Sequence, residues 1–218
     1  MCGRFARFST FAQLTASLGI PVLDGESTPH YNVAPGTYVL GLRRPSAEEP
    51  AMPATFWWGY KPRWAKGKAS QPINARVETV ATSGYFKSSF QKRRCVILAD
   101  GWYEWDKATS PKQPYFFCRE DRGALCLAAI YTEREDGSLG CAILTEPARG
   151  VCQAIHDRMP LLLDRESVEP WLDPDLGDRE TLRNVIKHID AELIVSWPVS
   201  KRINRPADEG DASLINPA

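Results

Sequence analysis

The sequence predicts an α+β fold, and three observations carry that expectation. Strand-like runs follow one another in quick succession between residues 94 and 131, so they pair with each other rather than alternate with helices. Helical patterns are confined to the stretches before and after that block. With 218 residues, 43% of them hydrophobic, the chain can bury one well-packed core, and no linker, internal repeat or low-complexity tract divides it, so one domain over residues 1–218 is expected.

Taken in order, Thr10 can cap a short helix whose Phe11, Leu14 and Leu18 share one face. The loop from Tyr31 to Thr37 then yields to an alternating strand, Tyr38 to Leu42, and another strand should cover Thr55 to Gly59. Lys61 to Gln71 has Pro and Gly but little periodicity and reads as a surface loop. Ile73 to Arg76 leads into an expected helix from Val77 to Ser83-Gly84, with a second near Phe86 to Gln91. Four strands follow: Arg94 to Ala99, Trp102 to Asp106, Pro114 to Arg119 and Leu125 to Tyr131. The turns between them read as those of antiparallel hairpins. A fifth strand, Cys141 to Thr145, should end where Pro147 begins a helix reaching Ile155. A short strand, helices near Arg165 to Leu172 and Arg179 to Ile189, and a strand from Leu193 to Pro198 complete the chain.

Lys plus Arg and Asp plus Glu both number 27, so net charge points to no polyanion. The distribution is more informative. Between Trp57 and Arg94 nine basic residues face one acid, Glu78, giving +8, and Trp57, Trp58, Tyr60 and Trp64 are interleaved with them. Cations that track phosphates beside rings that stack on bases suit single-stranded nucleic acid, while a solvated loop next to core aromatics gives the same composition. The six cysteines contain no Cys-x-x-Cys pair, which argues against zinc. Cys95, Cys118, Cys126 and Cys141 lie in apolar runs as core thiols, so a reduced, cytoplasmic location is expected. The first 23 residues carry Arg4 and Arg7 and no acid, yet their helical pattern assigns them to the domain rather than to a leader, and no apolar run suits a membrane span.

Several residues could carry chemistry. Loss of Met1 would make Cys2 the amino terminus, an α-amine of pKa about 7.7–8 beside a thiol of about 8.5, which is a β-aminothiol suited to aldehydes. A buried small hydrophobe near a frayed end is the plainer alternative. Glu104 shares a strand face with Trp102 and Asp106 while Tyr103 and Trp105 point the other way. Aromatic bulk there would desolvate the carboxyl and raise its pKa, unless Glu104 sits on an exposed edge. His156 lies in a loop before Pro160, as an acid or base near neutrality or as a structural histidine. Asn74 could orient a reacting group or cap the following helix. No Gly-x-Ser-x-Gly, phosphate-cradling loop or His-x-x-x-His pair occurs.

Six short motifs occur in register: Met1-Cys2-Gly3-Arg4-Phe5, Tyr31 to Gly36, Trp58-Gly59, Ile73 to Thr79, Asp100 to Trp105, and His156-Asp157-Arg158-Met159-Pro160. Together they resemble the SRAP family of SOS-response-associated peptidases, the abasic-site-processing proteins, through essentially the whole chain. The resemblance implies a curved, largely antiparallel mixed sheet with barrel-like closure, surrounded by helices. It implies a monomer that binds single-stranded DNA containing an abasic site, at single/double-strand junctions among other places, and needs no cofactor or metal. In this reading Cys2 forms a Schiff base and then a thiazolidine with the ring-opened sugar aldehyde. Asn74 orients the amine or the sugar, Glu104 acts as general acid and base, and His156 shuttles a proton. The resemblance assigns Arg4, Arg76 and Arg158 to phosphates, Trp64 and Trp105 to stacking beside the lesion, and Asn32, Pro35 and Thr145 to the same DNA-binding set. Peptidase activity would concern the exposure of Cys2. Two competing readings are a cysteine peptidase or amidohydrolase with His156 as base, and a noncatalytic single-strand binder.

Overall fold

A computed structural model of the protein describes residues 2–20, 28–205 and 210–218; Met1, whose removal the chemistry above requires, lies outside them. The chain opens with strand β1 (Phe5–Arg7) and helix α1 (Phe11–Ser17). Thr10 and Gln13 close a reciprocal capping box on α1, and Phe11, Leu14 and Leu18 are buried on one face as the spacing implies. Then come β2 (His30–Val33), β3 (Tyr38–Arg43), β4 (Met52–Trp58), β5 (Asn74–Arg76) and α2 (Lys87–Lys92). The central run supplies β6 (Arg94–Ala99), β7 (Gly101–Asp106), β8 (Gln113–Arg119), β9 (Leu125–Glu133) and β10 (Leu139–Pro147). Short strands β11 (Arg158–Pro160) and β12 (Leu162–Leu163), helices α3 (Val168–Leu172) and α4 (Arg179–Val185), and β13 (Ile194–Pro198) follow.

The strands form two systems. In the first, β10, β4, β3, β6 and β9 pair in sequence and β9 returns to β10, so the ladder closes on itself as a five-stranded barrel. All its pairings are antiparallel except β4 with β10, and β5 adds a further parallel strand on β10. The second is an open antiparallel sheet in the order β13-β8-β7-β1-β2. Strand alternation sorts the core. On β9, Leu125, Leu127, Ala129 and Tyr131 face the barrel interior together with Cys2, Phe5, Trp58 and Trp102 from elsewhere. Cys126, Ala128 and Ile130 face outward under α1–α4, so β9 is apolar on both faces and reads as a continuous run. Tyr103, Phe116 and Cys118 on the other side of the open sheet pack against the C-terminal segment.

Four local expectations are corrected. No helix starts at Val77: Asn74 to Arg76 is drawn into strand β5 by pairing with Ile143 to Thr145, and hydrogen-bonded turns follow it. Asn74 therefore caps nothing. Pro147 ends β10 instead of starting a helix, because it is still in register with Arg158, and only a 3₁₀ turn at Gly150–Ala154 follows. Of the three expected hairpins only β7–β8 forms. At Ala99-Asp100-Gly101 and again between Arg119 and Leu125 the chain passes from one strand system to the other, because both edges of β6 and β9 are already committed to the barrel.

Candidate functional site

Strand β7 brings the first residues and the aromatic motif together. β1 lies antiparallel beside it, Phe5 opposite Trp102 and Ala6 opposite Gly101, and the Tyr103 N–H donates to the Arg4 carbonyl at 3.0 Å. The residues before Arg4 therefore run toward Glu104 and Trp105. Two features of the motif hold this register. The Asp100 carboxylate accepts from the Phe8 and Ser9 N–H groups at 2.7 and 2.9 Å, pinning the far end of β1. At Gly101 a Cβ would stand 2.3 Å from the Phe116 ring and 2.5 Å from the Phe117 carbonyl, so only glycine lets β7 lie this close to β8.

Because β7 is an interior strand between β1 and β8, Glu104 is no surface carboxylate: it is 3% exposed, on the same face as Trp102. Burial pushes its pKa up to about 7. Cys2 is 0% exposed and belongs to the barrel-facing core. Burial, and after it the Glu104 carboxylate, push the Cys2 thiol well above its ordinary value, so it is no thiolate at neutral pH. Glu104 also acts on Cys152, a buried thiol that desolvation raises to about 12.

His156 follows the 3₁₀ turn, its N–H donating to the Cys152 carbonyl at 3.0 Å. Its Nδ1 lies 2.9 Å from the Arg158 N–H and 3.0 Å from Asp157 Oδ1. Burial holds its pKa below the ordinary value, so the neutral ring is favoured at pH 7, accepting at Nδ1 from Arg158 and carrying its proton on Nε2. Asn74 sits on β5 opposite Ile143, and its Nδ2 donates to the Ile143 carbonyl over a long 3.4 Å. Its Oδ1 is buried with no hydrogen-bond partner among the described residues. Such an atom costs about 1–3 kcal/mol and marks a place where a ligand or water can enter. Ile73 and Ile155, the chain neighbours of Asn74 and His156, pack on the core cluster that contains Cys2, Cys141, Ile143 and Cys152. The segments that carry Asn74 and His156 thus reach the core that holds Cys2, and the Glu104 charge acts on Cys2 and Cys152 in it.

The remaining sequence candidates divide. Trp64 is 62% exposed and meets Tyr85 edge-on at 5.3 Å. Arg76 is also exposed, and Pro35 is partly so. Arg4 and Asn32 turn inward. Arg4 donates to Asn32 Oδ1 at 2.7 Å, and both donate to the Ile203 carbonyl, tying the C-terminal segment to β1 and β2. Arg158 makes two bonds to Glu78, at 2.5 and 3.0 Å, and one to the carbonyl of buried Thr145. Trp105 points away from the Glu104 face and donates to Asn204 at 2.8 Å. The +8 segment is also not one bare cationic patch. Arg63, Lys66 and Lys92 pair with Glu133, Glu135 and Asp175, while Arg94 is buried and donates to the carbonyls of Phe90, Gln91, Trp171 and Asp173.

The model of the SOS response associated peptidase (SRAP) family matches residues 1–206. The chain belongs to the SRAP family. It is 37% identical to the abasic site processing protein YedK of Escherichia coli K12, with 100% of each chain covered. It is 32% identical to the abasic site processing protein YoqW of Bacillus subtilis, over 94% of this chain and 95% of that one. The crystal structure of a phage-related protein from Bordetella bronchiseptica superposes with a TM-score of 0.75 at 30% identity, covering 92% of this chain and 95% of that one. In this SRAP chain the fold adds a residue that the sequence pattern does not single out. Lys107, three places after Glu104, bonds Asp157 at 3.2 Å and places a positive charge near both Glu104 and His156. Its position just past the aromatic motif is the available signal, but only the fold supplies the partner loop. Among the described residues no group of three or more His, Cys, Asp or Glu is arranged to hold a metal ion, and no helix is long and apolar enough to cross a membrane.

Proposed function

We propose that this SRAP protein processes abasic sites in single-stranded DNA by capturing the sugar aldehyde covalently at Cys2 once Met1 has been removed. The observation that carries the reading is the placement of Cys2 beside Glu104, a buried carboxyl with a pKa of about 7. Such a group is half protonated at neutrality and can both donate and accept. The curated relatives named as abasic site processing proteins, matched along their full or nearly full length, support the substrate class.

An amine of pKa about 7.7–8 has a neutral fraction at pH 7.5, and the sulfur can close only on an imine carbon that already exists, so the amine attacks first. Glu104 donates a proton to the ring oxygen and its carboxylate takes back the anomeric hydroxyl proton as the closed sugar opens to the aldehyde, so the carboxyl is regenerated. The amine adds to the aldehyde carbon, and the resulting hydroxyl leaves as water to give the imine. The thiol sulfur then adds to the imine carbon while its proton passes to the imine nitrogen, closing the thiazolidine with no net redox change. Neutral His156 shuttles a proton on the far side. The unsatisfied Asn74 oxygen accepts from the amine or a sugar hydroxyl. Exposed Trp64 and Arg76 offer stacking and phosphate contact. Arg4, Asn32 and Arg158, already engaged within the chain, are assigned with Pro35, Thr145 and Trp105 to the same DNA-binding set.

Cys2 is fully buried in the chain that carries Met1, which sets a condition: the amine has to be uncovered before an aldehyde reaches it. A peptidase reading fits less well, because a thiolate nucleophile needs a lowered thiol pKa and this one is raised. Single-stranded DNA with one abasic site, incubated with the protein and resolved on a denaturing gel, tests the proposal. A retarded band is expected from the Met1-free protein. Cys2→Ala should give that band only after borohydride trapping of the imine, and protein with Met1 retained should give none. An equal, reductant-independent band from Cys2→Ala would overturn the assignment, and noncovalent binding alone would leave a simple single-strand binder.

A further inference from the structure

Residues 61–68 carry Lys61, Arg63, Lys66, Lys68 and the exposed Trp64, and two carboxylates reach this loop, Glu133 from the end of β9 and Glu135 from the β9–β10 connection. Arg63 Nη1 lies 2.9 Å from Glu133 Oε1, and the Arg63 N–H donates to the Glu133 carbonyl at 3.2 Å. Lys66 Nζ lies 2.8 Å from Glu135 Oε1 and holds that carboxyl below its ordinary range. Between these acids Arg134 donates to the Gly59 carbonyl at 3.1 Å and stacks 5.3 Å from the Trp57 ring, fixing the hairpin to the base of the loop. Arg63 and Lys66, the nearest cations on either side of Trp64, are therefore already neutralised from within the chain. The four charged side chains are between 47% and 67% exposed, and ion pairs in that setting add little to folding and exchange readily with other anions.

We infer that Glu133 and Glu135 are specificity determinants that stand in for DNA phosphates, occupying Arg63 and Lys66 so that the Trp64 loop holds undamaged single strands only weakly. The inference rests on the proposed reading of the protein as a single-strand binder that captures a lesion covalently. Phosphates are the same at damaged and undamaged positions, so strong phosphate binding would keep the protein on intact DNA. Capture at Cys2 needs only a brief visit. A strand that docks has to displace the two carboxylates, which weakens noncovalent retention without touching the covalent step. Discrimination between lesion and intact strand rises as a result.

The test is binding of an undamaged oligonucleotide by Glu133→Gln/Glu135→Gln, measured by fluorescence anisotropy from about 50 to 300 mM NaCl, a range over which phosphate contacts weaken strongly. The double variant is expected to bind about 10-fold tighter at the low-salt end, with log K against log salt steeper by about 1.4, two more phosphates at about 0.7 each. Adding Arg63→Gln/Lys66→Gln to it should return affinity and slope to or below wild type. An unchanged slope in the double variant, or a gain that survives loss of Arg63 and Lys66, overturns the inference. Crosslinking of an abasic-site oligonucleotide at saturating protein is run beside it. If the crosslink forms while the slope stays put, the phosphate mimicry is wrong and the capture chemistry stands. If no protein crosslinks, the proposed function has failed instead.

Discussion

At the residue scale, the proposed capture turns on Glu104. Its burial makes it both useful and costly. Its pKa rises from 4.5 to about 7 on folding, so between those values the folded protein holds a proton that the unfolded chain has released. Stability contributed here is present below about pH 4.5 and is lost as pH rises toward 7, on the order of 1–3 kcal/mol. Glu104→Gln is therefore expected to raise the melting temperature at pH 8 and to change it little at pH 4.5; a uniform shift at both would show that the carboxyl is not desolvated. The same substitution should slow crosslinking by about 100-fold or more while leaving noncovalent affinity near wild type. For the wild type, the need for a protonated carboxyl and a neutral amine places the fastest crosslinking between about pH 7 and 8, with limbs that the Gln variant loses on the acid-dependent side. The alternation of the strand shows that Glu104 shares a face with Trp102; that β1 and β8 flank it is out of reach of the sequence, because strand order is a long-range property.

At the scale of elements, the register between β1 and β7 decides whether Cys2 meets Glu104 at all. Asp100 and Gly101 maintain it, and neither touches the reacting groups. Gly101→Ala is expected to reduce crosslinking at least about 10-fold, and Asp100→Ala to destabilise the protein by about 1–3 kcal/mol through loss of its bonds to Phe8 and Ser9. Denaturant melts and crosslinking rates on both variants check this, and near-normal behaviour of Gly101→Ala would show the close packing on Phe116 to be dispensable. Most strands are legible because their alternation or apolar run is local: the run Arg94 to Ala99 coincides with β6 to the residue. The departures share one cause. Residues 73–76 and Pro147 have no strong strand pattern of their own and are made extended by partners on β10 and β11. Turn residues at 99–101 read as a hairpin because turn chemistry reports a reversal and not which strand the chain pairs with next.

At the scale of the whole molecule, cations and rings are visible in the sequence and their partners are not. Arg63, Lys66 and Lys92 find acids in segments far along the chain, and Arg4, Asn32 and Arg158 turn inward to carbonyls and carboxylates of distant segments. Arg76 remains exposed, so Arg76→Ala should weaken single-strand binding and reduce the salt slope by about 0.7. Arg158→Ala should also lower the melting temperature, because it releases Glu78 and the Thr145 carbonyl. The central claim joins the amine and the sulfur of Cys2 to one sugar carbon, and intact mass spectrometry of the purified DNA adduct with thiol counting tests it most directly. The expected mass is that of the oligonucleotide plus the chain without Met1, less one water, and after denaturation one of the six cysteines should resist alkylation, leaving five labelled. An adduct that labels at all six cysteines, or one that retains Met1, would contradict it.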